Sequence, residues 1–177
     1  MITKTGNLFD TDAKFIGHGV NIYGAMGAGI AVQFKNGFHE GMFKSYRAAC
    51  MSDDDVPRAG EGELQPGGLH WWTDGDITVF NIASQSRPGR FAKEAWLTMG
   101  LFRAASVAHR ESSTLAGQPP VKIAIPAIGC GIGGLHTDAL ERAIGVVEDW
   151  FFGEVVFELW FYSPNGETKV DPTPEVV

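Results

Sequence analysis

The chain has 177 residues, 14 basic and 21 acidic side chains and a formal net charge of −7. That length fits a single domain of about 100–150 residues plus a short extension. Its 44% hydrophobic and 20% charged fractions exclude a wholly disordered chain, a fibrous repeat and a disulfide scaffold.

In chain order, Lys14 to Ile22 reads as a strand with Phe15, Ile16, Val20 and Ile22 as its apolar members. Ile30, Ala31, Phe34 and Phe38 then follow helical spacing, and a second helix is expected over Glu40 to Met51. Asp53 to Gly68 is polar and rich in Gly and Pro, a surface excursion whose acidic triplet is a solvated loop. Leu69 to Trp72 and Ile77 to Ile82 read as a strand pair across a turn at Thr73 to Asp76. Ser84 to Arg90 is a loop, and Ala95, Met99, Phe102 and Ala105 mark the next helix. Val121 to Ile128 is the strongest strand. Leu140, Ala143, Ile144, Val147 and Trp150 face one side of a helix expected to start at Thr137 as N-cap, with Asp138 in its first turn. Val155 to Tyr162 is the last strand, and residues 164–177 are expected to form a loosely ordered tail to a domain covering residues 1–163. Trp71, Trp72, Trp150, Phe151, Phe152, Phe157 and Trp160 are expected mostly at core or sheet-facing positions.

Strands alternating with helices make an α/β layered fold, and the last strand–helix–strand unit makes a parallel pair. Ligands in such folds bind at the carboxyl ends of strands. Cys50 and Cys130 lie in no CxxC pair, so neither a metal site nor a cofactor is expected. Met1 to Asn7 holds no apolar signal segment, and Trp150 to Tyr162 is broken by Gly153, Glu154 and Glu158. The expectation is therefore a cytoplasmic monomer with free thiols and no membrane contact.

Glycine is the compositional oddity: 23 of 177 residues, about one in eight against a usual one in fourteen. Seven fall in two windows, Gly24, Gly27 and Gly29, then Gly129, Gly131, Gly133 and Gly134, each following a strand and preceding a helix. Glycines there let an anion approach backbone N–H groups at a helix N-terminus, where partial positive charge accumulates. Two such loops on one sheet edge hold a diphosphate without any basic side chain. That reconciles an anionic ligand with net acidity, which argues against a broad nucleic-acid surface. Gly129, Gly131 and Gly134 also match GxGxxG, the dinucleotide fingerprint, but few strands follow and the next one ends in Phe161-Tyr162-Ser163 rather than in an acid for the ribose. No GxxxxGK[ST] occurs.

The segments VNIYGAMGAGIAVQFK (Val20 to Lys35) and IPAIGCGIGGL (Ile125 to Leu135) resemble a macrodomain. The chain is most similar to the branch containing terminal ADP-ribose protein glycohydrolase, DNA ADP-ribosyl glycohydrolase antitoxins and ADP-ribose 1″-phosphate phosphatases, over Gly6-Asn7-Leu8 to Tyr162. The resemblance implies a three-layer α/β/α sandwich with a central mixed sheet, and ADP-ribose as the ligand. It implies that Asn21 faces the distal ribose and that Gly24, Ala25, Met26, Gly27, Ala28, Gly29 and Ile30 surround the diphosphate and that ribose. It implies a second loop of Gly129, Cys130, Gly131, Ile132, Gly133, Gly134 and Leu135, entered from Ile128, around the diphosphate. Asn7 and Leu8 occupy the place where many relatives carry an aspartate for adenine, and Tyr162 would lie near the same base.

Terminal-glycohydrolase relatives use a lysine after the strand ending here in Phe80-Asn81-Ile82 and an aspartate in the second loop. Ser84 and Gly133 stand at or next to those positions, so that mechanism does not transfer. Asn21, to position the ribose, and His136, as acid or base, are the catalytic candidates, with Ser84 near the ligand. Asp138 is read as a charge favouring the helix dipole, Lys93 as a helix-surface lysine, His18 as a packed histidine, His39 as a surface one and Cys130 as loop rather than nucleophile. The expected function is ADP-ribose binding with hydrolysis of a derivative, either the 1″-phosphate monoester or an ADP-ribosyl link to protein or nucleic acid. The alternative is a non-catalytic reader of ADP-ribose-like ligands.

Overall fold

The apolar runs assemble, in a computed structural model that describes residues 1–54, 58–112 and 118–162, into six strands and four helices. These are β1 (Ile2–Thr5), β2 (Phe15–Asn21), α1 (Ile30–Gly37), α2 (Glu40–Ala49), β3 (Leu69–Asp74), β4 (Ile77–Gln85), α3 (Glu94–Glu111), β5 (Val121–Pro126), α4 (Thr137–Trp150) and β6 (Val155–Phe161). A 3-10 turn covers Leu8–Asp10. The strands form one sheet in the order β1-β6-β5-β2-β4-β3. All neighbours are parallel except the β3–β4 pair, which is antiparallel. The sheet is therefore mixed, with every parallel strand ending on the same edge.

Period-two alternation divides the core. Phe15, Phe80, Ile82, Ile123, Ile125, Phe157 and Leu159 point to one face and pack on Leu97, Leu101, Ala104 and Ala108 of α3 and on Leu140, Ala143, Ile144 and Val147 of α4. Ile16, Val20, Val79, Ala83 and Ala124 point to the other and pack on Phe34 of α1 and Met42 and Tyr46 of α2. The architecture is the three-layer α/β/α sandwich. Leu140 is fully buried, so truncating it to alanine would cost about 2–5 kcal/mol.

Several details differ from the sequence expectation. β1 has one apolar member, Ile2, and is exposed over most of its length, because an edge strand buries little. The N-cap of α4 is His136, without a side-chain cap bond, rather than Thr137. Trp71, Trp150 and Phe152 are exposed rather than packed inward. Residues 58–68 of the polar excursion are tied back to α2: Gly60 N–H donates to Cys50 O at 2.9 Å, Leu64 N–H donates to Ala49 O at 2.8 Å, and Leu64 is buried. Ser163 and the expected tail lie outside the described residues. Among the described residues, no helix is long and apolar enough to cross a membrane.

The β2–β4 register slips close to the carboxyl edge. Gly19 faces Ile82, whereas Asn21 faces Gln85, so β4 carries one extra residue. Bulges of this kind re-aim side chains at strand ends, and Ser84 sits in this one.

Candidate ligand-binding cleft

The carboxyl ends of β2, β4 and β5 open into a cleft of about 390 Å³. Its walls are the two glycine loops: Ala25, Gly27, Ala28, Gly29 and Ile30 from the first, and Gly129, Gly131, Ile132 and Gly133 from the second. Asn21, Ser84 and Ile128 complete the set that the sequence marks out. The loops come close to each other: a Cβ built on Gly29 would lie 3.7 Å from Ile132 Cδ1.

Each loop depends on its glycines in a different way. Gly29, the N-cap of α1, has φ 60° and ψ −152°, a conformation closed to residues with a side chain. In the second loop, a Cβ on Gly133 would lie 2.6 Å from Gly129 O, so no side chain fits there at all. Gly27 and Gly131 are unobstructed, with nothing within 4 Å of a built Cβ. Among the described residues, no hydrogen bond engages the N–H groups of Gly27, Ala28, Gly131 or Ile132. The first turn of α1, Ile30 and Ala31, also lines the cleft and adds orphan helix donors.

Asn21 is 6% exposed and its carboxamide bonds its own loop through both ends. Nδ2 donates to Ala25 O at 2.8 Å, while Oδ1 accepts from the N–H groups of Tyr23 at 2.9 Å and Ala25 at 3.4 Å. Tyr46 of α2 donates its hydroxyl to Asn21 O at 2.6 Å, which props the loop from below. Beneath α1, the His18 ring stacks on Phe34 with centroids 4.0 Å apart. His18 Nε2–H donates to Asn81 Oδ1 at 2.7 Å, Asn81 Nδ2 donates to His70 Nδ1 at 2.9 Å, and His70 Nε2–H donates to Ser45 Oγ at 2.9 Å. Burial pushes both imidazoles down to about 4, so each is neutral at physiological pH.

Ser84 is 1% exposed, and its hydroxyl has no hydrogen-bond partner. It lies at the cleft floor, where a Cβ on Gly19 would sit 2.9 Å from Oγ. A buried hydroxyl left unpaired is costly, so a polar ligand atom or water reaching this floor gains a partner already in place. Among the described residues, none that line the cleft has a charged or titratable side chain.

The remaining predicted residues lie around the cleft rather than on its wall. His136 is exposed. Cys130 donates its thiol to Ile128 O at 3.6 Å. Leu8 and Met26 are buried in the core on the α1–α2 face. Gly24 abuts Arg47, Gly134 abuts Arg90, and Leu135 packs over Gly129. Asn7 and Tyr162 follow β1 and β6 at the far end of the same sheet edge, where Gly6 N–H donates to Phe161 O at 3.0 Å. Asn7 Oδ1 accepts from Phe9 N–H at 3.2 Å, and Tyr162 is exposed. The sequence reading missed Gln85, Pro88 and Gly89, which form a third wall. Their signal was the Pro-Gly turn between β4 and α3.

No family model matches the chain. The DNA ADP-ribosyl glycohydrolase of Mycobacterium tuberculosis is 30% identical over 149 residues, covering 81% of this chain and 38% of that protein. The chain thus spans about two fifths of the length of the relatives it matches. Among solved structures, the macrodomain of Mycobacterium tuberculosis DarG superposes with a TM-score of 0.71 at 26% identity, covering 90% of this chain and 97% of that one. Thermosipho africanus DarTG, solved in complex with ADP-ribose, shares the fold with a TM-score of 0.66 at 17% identity, covering 96% of this chain and 43% of that one. With its sandwich, its two paired glycine loops and these likenesses, the chain has the macrodomain fold.

Proposed function

We propose that this domain binds ADP-ribose in the cleft and hydrolyses an ADP-ribosyl link, with DNA as the acceptor, as the name of its relatives specifies for them. The observation that carries the reading is the convergence of Gly27 and Gly131 on one cleft. Their free amides and the N-terminus of α1 supply an anion site of two phosphates' extent with no cationic side chain.

The distal ribose then lies towards Asn21 and Ser84. Asn21 holds the first loop in the shape that positions the ribose, and the Ser84 hydroxyl supplies a hydrogen bond to a ribose hydroxyl or to water. Hydrolysis breaks the bond between the anomeric carbon and the acceptor while water adds to that carbon, through a transition state of oxocarbenium character. The water proton passes by way of the ligand's own phosphate to the departing acceptor, which leaves protonated while the anomeric carbon keeps the hydroxyl; among the described residues no side chain on the cleft wall titrates. Such a site works by orientation and backbone electrostatics rather than by a side-chain base. His136 has no step in this scheme.

One observation favours a second reading, a non-catalytic reader: a carboxylate at position 133 is excluded by Gly129 O. Ser84, at or next to the position of the relatives' lysine, is in keeping with it. Incubation with an ADP-ribosylated oligonucleotide, an ADP-ribosylated protein and ADP-ribose 1″-phosphate in parallel separates the two. Released ADP-ribose from the oligonucleotide supports the proposal. Binding of ADP-ribose without turnover of any substrate replaces it with the reader.

A further inference from the structure

We infer that a second cavity, which shares the 84–93 loop with the cleft, is the docking surface for the nucleic-acid strand that carries the ADP-ribosyl group; this rests on the function proposed above. The cavity measures about 500 Å³, and its lining includes Tyr23, Arg87, Arg90, Phe91, Lys93 and Trp96. Its walls continue those of the cleft residue by residue. Asn21 lines the cleft while Ile22 and Tyr23 line the cavity, and Ser84 and Gln85 line the cleft while Ser86 and Arg87 line the cavity. An acceptor leaving the distal ribose near Asn21 and Ser84 therefore passes directly into this space.

The chemistry of the lining matches a single strand. Among the described residues, three cations and no acid line the cavity, in a chain whose net charge is −7. Arg87, Arg90 and Lys93 are exposed, and among the described residues none of them forms an ion pair. The acids nearest in sequence are already neutralised: Glu94 accepts two bonds from Arg142, at 3.1 and 2.8 Å, and Glu61 accepts from Arg58 at 2.7 Å. The aromatic rings give base-stacking faces. Tyr23 is 46% and Phe91 38% exposed, and the Tyr23 ring rests on Gly60, where a Cβ would lie 2.9 Å from it. Lys93 sits 4.5 Å from the Trp96 ring centroid and Arg87 3.9 Å from that of Phe91. Cations interleaved with aromatics fit phosphates and bases together. An acidic peptide would use the charges alone.

The test is fluorescence anisotropy with a short labelled oligothymidylate over a salt series, on the wild type and on the R87Q/K93Q variant, with calorimetric ADP-ribose binding on both. The variant should bind the oligonucleotide about tenfold or more weakly, and the slope of log K against log salt should flatten by about 1.4, from two phosphate contacts at about 0.7 each. ADP-ribose affinity should not change. Phe91→Ala should weaken the oligonucleotide while leaving the slope in place. An undetectable oligonucleotide complex with the wild type at low salt, or equal affinity and slope in R87Q/K93Q, overturns the inference. So does oligoglutamate binding with the same affinity and slope, which identifies an acidic polypeptide partner. Failure of the wild type to bind ADP-ribose contradicts the proposed function instead, and is read separately.

Discussion

The two glycine loops reach the same cleft by opposite means. The first is held by a side chain: Asn21 bonds Ala25 and Tyr23, and Tyr46 supports it from α2. The second is held by its own main chain, with Gly134 N–H donating to Gly131 O at 3.2 Å and Leu135 N–H to Gly129 O at 2.9 Å, in a turn that leaves no volume for a Cβ at 133. The first loop needs a particular side chain beside its bare Gly29, whereas the second needs only the absence of one. Substitutions should therefore act on them differently.

The largest effect on ligand binding is expected at the open glycine of the second loop. Gly131→Glu keeps the backbone, since its Cβ meets nothing, but places a carboxylate in the anion site. ADP-ribose affinity should fall more than about 100-fold, roughly 2.7 kcal/mol, with an unchanged melting temperature. Retained affinity in calorimetry would remove this loop from the site.

Acid should act on the first loop's side. His18, beneath α1, has its pKa lowered from 6.5 to about 4 by burial, and His70 is lowered likewise. Both are neutral in the fold, so their full contribution is present above about pH 6.5, and stability is lost as pH falls towards 4, because only the unfolded chain takes up the protons. For His18 the loss approaches about 3 kcal/mol by pH 4. Melting temperatures should decline across that window, and less steeply in His18→Gln. A flat profile would contradict the neutral buried pair.

Next in size is Gly133→Ala, which forces the second loop to move away from Gly129 O. A loss of about 1–3 kcal/mol is expected, read by urea denaturation, together with weaker ADP-ribose binding. Unaltered stability would show that the loop is slack. The smallest effect separates two roles for one residue. Asn21→Ala removes the bonds that shape the first loop and should lower affinity about tenfold, roughly 1.4 kcal/mol, along with turnover. A fall in kcat alone would instead mean that Asn21 contacts the reacting ribose.

Legibility followed burial. β2, β4, β5 and β6 carry apolar residues at strand period because they cross the middle of the sheet or flank it, and the helices show one apolar face each. β1 escaped notice because Ile2-Thr3-Lys4-Thr5 has almost nothing to bury. The glycine loops were readable because glycine clusters have few other uses, and both proved to line the cleft. Gln85, Pro88 and Gly89 were not, since their placement depends on the β4 bulge and on a loop pinned by Lys93 N–H to Ser84 O at 3.3 Å and Ala92 N–H to Gly133 O at 3.3 Å. Those are tertiary contacts without a local pattern. The exposed Trp150 and Phe152 misled in the opposite direction, because aromatic character alone does not say which way a helix end faces.

Calorimetric titration with ADP-ribose and with AMP, under one buffer and salt, bears most directly on the paired amide loops. The account predicts a saturable ADP-ribose isotherm and AMP binding at least about 100-fold weaker, since AMP lacks the second phosphate and the distal ribose. Equal affinity for the two would place recognition elsewhere and contradict it.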